Sequence, residues 1–95
     1  VKKESKLKAD EKQKLNEFIN EEYYRLLKLY TAGKIIQYKQ QFSNAINIYK
    51  YINDLAIKYD FLDLQLYTSI ELRKLYAYLL PDKKAFDYYE KQSNE

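Results

Sequence analysis

The sequence predicts an all-α protein: an antiparallel bundle or stack of helical hairpins, three to four helices in a single domain. Three observations carry that expectation. Apolar residues recur at helical spacing through Leu15–Tyr30, Phe42–Tyr59 and Leu64–Leu79, the pattern of buried helix faces. The chain holds one glycine and one proline, so little interrupts those runs. Short breaks at Gln40-Gln41, Asp60-Phe61-Leu62-Asp63 and Pro81 separate them.

Val1 to Ala9 is lysine-rich with few large apolar residues, and is expected to be a flexible tether, residues 1–9. The helical domain is expected over residues 10–92, with a frayed tail at 93–95. Asp10 can cap the first helix, with Gln13 as reciprocal partner. Leu15, Phe18, Ile19, Tyr23, Leu26, Leu27 and Tyr30 then make one inward face.

Gly33 has two readings. It can end the first helix as a left-handed residue, or lie inside it where another backbone or ring comes close. The turn signal at Gln40-Gln41-Phe42-Ser43, with Ser43 as N-cap, favours the second. Phe42, Ala45, Ile46, Tyr49, Ile52, Ala56 and Tyr59 form the next face, and Ile48, Tyr51 and Leu55 widen it. A helix apolar on more than one side packs on two neighbours, so this one is expected at the centre.

Asp60 is expected to cap the third helix, with Asp63 near its positive end. That helix would run to Leu79 with Leu64, Leu66, Tyr67, Ile70, Leu72, Leu75 and Tyr76 inward, closed by Pro81. Asp82 caps a short last helix, from Lys83 to about Gln92, whose Ala85, Phe86, Tyr88 and Tyr89 face back.

Composition narrows the function. Among 95 residues there is no histidine and no cysteine. The commonest general base and metal ligand and the thiolate nucleophile are therefore missing, and one glycine cannot build a phosphate loop. No enzyme, metal or cofactor is expected. The formal charge is +3, and residues 1–14 hold all of it, with six lysines against Glu4, Asp10 and Glu11. The remaining body is electroneutral, without the basic face a nucleic-acid binder uses. No apolar run is long enough to span a membrane. Abundant Ile, Lys, Asn and Tyr point to a low-GC genome. The chain starts at Val1, so a trimmed methionine or a removed leader is expected upstream.

Two groups remain as protein-binding candidates. Asp54, Asp60 and Asp63 are expected to make an acidic docking patch at one end of the bundle. Tyr51, Tyr78 and Tyr88 fall off the inward stripes and are expected to be aromatic anchors, drawn from 12 tyrosines.

Residues 29–92 resemble the tetratricopeptide helical repeat. Leu29, Ala32, Gly33 and Ile36 stand at its first-helix positions, and Ala45, Tyr49 and Ile52 at the second. Leu72, Tyr76, Ala85 and Tyr89 fit a second unit, and Ala45-Ile46-Asn47-Ile48-Tyr49 is echoed by Ala85-Phe86-Asp87-Tyr88-Tyr89. Ser69, Arg73 and Gln92 depart from the pattern, and the period exceeds the usual ~34 residues. The resemblance implies stacked antiparallel hairpins, a protein- or peptide-binding role, and the segment from Leu15 to Ala32 as a cap.

In size, lysine-rich start and composition, the whole chain is similar to small bacterial surface lipoproteins, among them spirochaete lipoproteins that capture the complement regulator factor H. That implies a host serum protein as partner, a lipid tether upstream of Val1, and a place at the cell surface or outer membrane. The alternatives are a cytoplasmic scaffold or peptide sensor of the tetratricopeptide kind, and a helical protein of the bacteriocin-immunity type. The oligomeric state is open.

Overall fold

The computed structural model describes the backbone of residues 2–79 and 82–93 and the side chains of residues 9–77 and 82–93. Within these residues the chain is all helical: α1 (Lys2–Tyr38), α2 (Phe42–Lys58), α3 (Leu62–Lys74) continuing into a π-helical turn (Leu75–Leu79), and α4 (Lys83–Ser93). Tight turns join α1 to α2 and α2 to α3, consecutive helices pack as antiparallel neighbours, and the array measures 58 × 26 × 14 Å. The expected all-α fold is the one observed.

α1 begins earlier than expected. Residues 2–9 already lie in the helix, and Asp10 is inside it rather than at its cap. Lysine, glutamate, alanine and leucine are good helix formers, and nothing before Gly33 interrupts them. Gly33 also lies inside α1, with ordinary negative φ. A Cβ there would stand 2.8 Å from Tyr49 Cε1 and 3.2 Å from Ile48 Cγ2. Glycine is needed at this position because α2 crosses at van der Waals distance.

The two described turns share one design. After α1, Gln40 is left-handed (φ 65°), Gln41 N–H donates to Ile36 O at 3.1 Å, and Gln40 N–H donates to Gln37 O at 2.9 Å. After α2, Asp60 is left-handed (φ 59°), Phe61 N–H donates to Ala56 O at 2.8 Å, and Asp60 N–H donates to Ile57 O at 3.3 Å. Both are Schellman closures, which satisfy the last carbonyls of a helix. Gln41 and Phe61 then occupy the N-cap positions without a side-chain cap. This corrects two expectations: Ser43 is inside α2, and Asp60 closes α2 rather than capping α3. Asp82 does cap α4, where its Oδ1 accepts from Ala85 N–H at 3.1 Å. The expected stop at Pro81 and the residues after Ser93 lie outside the described residues.

The core has two halves, and α2 and α3 contribute to both. In one, Leu26, Ile52, Ala56, Phe61 and Leu64 join α1, α2 and α3. In the other, Ala45, Ile46, Tyr49, Leu72, Leu75, Tyr76 and Tyr89 join α2, α3 and α4. A polar seam runs between the halves. Asn53 Nδ2 donates to Thr68 Oγ1 and Ser69 Oγ, each at 3.0 Å, while its buried Oδ1 has no partner. Ser69 Oγ donates to Gln92 Oε1 at 2.9 Å and Arg73 Nη1 to Ser93 Oγ at 3.2 Å. The three residues that depart from the tetratricopeptide pattern thus bind α4 to α3.

Several residues expected inward are not. Leu15, Phe18, Leu66 and Tyr67 are exposed, as is Tyr88, for which the sequence offered both an inward place and an outward one. Leu15 and Phe18 are uncovered because α1 runs past the end of α2, while Leu66, Tyr67 and Tyr88 lie on flanks that no further helix covers.

Candidate functional site

α1 and α3 run parallel beside each other, and three cross-pairs join them. Tyr23 Oη donates to Asp63 Oδ2, at the first turn of α3. The ring of Tyr67 packs on Tyr30 at 6.1 Å between centroids. Lys34 Nζ donates to Glu71 Oε1 at 3.0 Å. Asp63, Tyr67 and Glu71 are spaced i, i+4, i+8, so they project from one stripe of α3. Tyr23, Tyr30 and Lys34 stand at i, i+7 and i+11 on α1, which also places them on one stripe.

The middle pair is anchored from behind. Tyr30 also packs on Tyr49 at 5.8 Å, and the buried Tyr49 donates from Oη to Gln37 Oε1 at 2.6 Å. Burial raises the phenol pKa values of Tyr30 and Tyr49; the Glu71 carboxylate raises Tyr49 further, while at Tyr30 the Lys34 ammonium works against the rise more than Glu71 adds to it. The bond to Asp63, with burial behind it, pushes Tyr23 up to about 12. All three phenols therefore stay neutral through the ordinary pH range. On the open side of the ladder, Tyr24 is 62% exposed, Tyr67 45% and Tyr38 89%. The face offers aromatic rings on a rigid floor, with one acid–base pair among them. Such rings provide large contact area at low entropic cost.

The residues singled out from the sequence are scattered. Asp63 belongs to the ladder. Asp60 is exposed in the adjoining turn. Asp54 is exposed on α2, near enough to Tyr89 of α4 for its charge to act on that phenol. Asp54 and Asp63 thus look toward different neighbours, α4 and α1 respectively, with Asp60 in the turn between them in sequence. Tyr51 lies against α1 behind the ladder, where its Oη accepts from Arg25 Nη2 at 3.0 Å. Arg25 in turn pairs with Glu22 at 2.8 Å and holds that carboxyl below its usual range. Tyr88 is exposed on α4, edge-on to Tyr89 with centroids 4.9 Å apart. The side chain of Tyr78 lies outside the described residues.

Tyr24 and Tyr67 were not among those candidates. Tyr24 was legible as an off-stripe tyrosine. Tyr67 was assigned to the core because the period of α3 does not say which flank stays uncovered.

Other concavities are shallow. One of about 310 Å³ lies between the π-helical turn and α4, with Tyr76, Ala77 and Phe86 as its floor and Asp82 and Lys83 at its rim. Another of about 430 Å³ lies at the α1–α2 turn, lined by Lys34, Gln37, Tyr38, Gln40 and Phe42. Among the described residues, no group of three or more His, Cys, Asp or Glu is placed to hold a metal ion, and no helix is long and apolar enough to cross a membrane.

Comparison of the chain with protein-family models, curated proteins and solved structures finds no match in any of the three.

Proposed function

We propose that this chain is a non-enzymatic protein-binding module that docks its partner on the α1/α3 face. The observation that carries the reading is the ladder itself, with Tyr24 and Tyr67 exposed beside cross-helix pairs that hold the surface rigid. Aromatic side chains anchored on a fixed floor are the usual energetic centres of protein interfaces. The chain has no histidine and no cysteine, and among the described residues no group of three or more His, Cys, Asp or Glu is placed to hold a metal ion.

The sharper form of the proposal is a surface-tethered bacterial module that captures a soluble host protein such as the complement regulator factor H. Its support is the resemblance in size, lysine-rich start and composition described above. The second reading is a tetratricopeptide-like scaffold or peptide sensor. It is favoured by Gly33 at the α1–α2 crossing and by the first helices of successive hairpins standing side by side.

The test is a pull-down from human serum on immobilised protein at low and high salt, with mass spectrometry of what is retained. One dominant plasma protein supports the capture reading. Nothing retained by protein with the expected helical circular dichroism sinks it and leaves the scaffold reading.

A further inference from the structure

The described side chains in the first half of α1 are uncovered. Every side chain from Ala9 to Phe18 is exposed, and the partly buried positions start at Ile19. At 1.5 Å per residue, residues 2–17 extend about 24 Å past the bundle. An isolated helix of that length is marginal in water, and helices that run on without caps commonly pair with another helix. The overhang also continues the inward stripe of α1. Leu15 and Phe18 fall on the face that carries Leu26 and Tyr30, yet they are 56% and 48% exposed. Phe18 meets the ring of Tyr59 in a T-shaped arrangement, at 6.1 Å between ring centroids.

Charge along the same helix indicates the partner. Residues 2–8 carry four lysines and one glutamate, whereas residues 17–22 carry Glu17, Glu21 and Glu22 with no base among them. Glu22 is engaged by Arg25, while Glu17 and Glu21 are exposed and make no ion pair among the described residues, and the exposed Asp60 lies in the turn after the Tyr59 that meets Phe18. The two blocks have opposite net charge, and with Glu22 engaged by Arg25 the acidic block offers Glu17 and Glu21 to a partner. A parallel pair of α1 helices would set lysine block against lysine block. An antiparallel pair sets each lysine block against the partner's acidic block, with the two-fold near Lys12 and Gln13. Leu15 and Phe18 then lie within two turns of the crossing on each copy.

We propose that the chain forms a salt-sensitive homodimer through antiparallel pairing of its α1 overhangs, independently of the α1/α3 face. Opposite charges brought alongside each other fix register and speed association, and screening weakens them as salt rises. The partner is a second copy because the complementary surface is encoded on the same helix.

Sedimentation of the full chain at low and high salt tests this. Wild type is expected to dimerise at low salt and shift toward monomer at high salt. Leu15→Asp with Phe18→Asp should be monomeric at concentrations where wild type is dimeric, with the thermal midpoint of the bundle kept, because neither side chain is part of the core. Glu17→Lys with Glu21→Lys should weaken self-association, and mixing that variant with Lys3→Glu, Lys6→Glu protein should restore a dimer. Orientation is read from single cysteines in this cysteine-free chain: Gln13→Cys should cross-link under oxidation, and Lys2→Cys should not. A monomer at low salt at every concentration would overturn the proposal. So would a dimer indifferent to the Leu15/Phe18 variant, or efficient cross-linking through Lys2→Cys.

Discussion

Gly33 shows how one residue sets the spacing of two helices. Its missing Cβ lets the ring of Tyr49 approach to a distance no side chain would permit. Gly33→Ala gains helix propensity of about 1 kcal/mol, but the ring cannot retreat because Tyr30 and Gln37 hold it. The substitution is expected to cost about 1–3 kcal/mol net, read as a lower midpoint in chemical denaturation. Tyrosines set the response to alkali. Tyr23 and Tyr89 are pushed up to about 12, the first by its bond to Asp63 and the second by burial, and Tyr30 and Tyr49 are raised as well. A folded pKa above the unfolded value of about 10 means that the unfolded chain loses these protons first. Their stabilisation is present below pH 10 and is lost as pH rises toward 12. Melting followed against pH should be flat on the neutral side and fall steeply above pH 10. Part of the tyrosinate absorbance should appear only with unfolding. Asp63→Asn, which removes the charged partner of Tyr23, should bring one of the late phenols nearer its ordinary value.

At the scale of the element, the turns explain which boundaries could be read in advance. The start of α4 was legible because Asp82 makes the side-chain cap its residue type suggests. The starts of α2 and α3 were misplaced by one or two residues because Gln40 and Asp60, neither a glycine, adopt left-handed φ and close the preceding helix through the backbone. A left-handed conformation costs an L-residue about 1–2 kcal/mol. Gln40→Gly and Asp60→Gly should therefore each stabilise the fold by about 1 kcal/mol, and the two gains should add because the turns share no partner. Thermal midpoints of the two single variants and the double variant check this. A loss of stability on either glycine would show that the Gln40 or Asp60 side chain contributes more than its backbone strain costs. The early start of α1 was missed for another reason: lysine density reads as a solvated tether, although lysine is itself a good helix former.

Across the whole molecule, the order of helices and most of the core followed from apolar spacing, because Leu26, Ala45, Tyr49, Ile52, Leu64 and Leu72 are buried whichever helix lies next to them. The candidate face did not follow. Tyr67 is exposed only because α1 and α3 lie side by side with nothing above them, and Asp63 and Glu71 acquire partners forty and thirty-seven residues away in sequence. No local pattern encodes a pairing at that distance. Tyr24→Ala with Tyr67→Ala removes aromatic surface from the open side of the ladder while leaving the buried Tyr49 and the Lys34–Glu71 pair in place. The most direct test immobilises wild type and this double variant side by side, exposes both to serum, and compares what each retains after matched circular dichroism and melting. If the α1/α3 face is the docking surface, the variant loses a partner that wild type retains while it stays folded and equally helical at the assay temperature, its midpoint lowered only by the lost Tyr67–Tyr30 contact. Equal retention of that partner by both would contradict it.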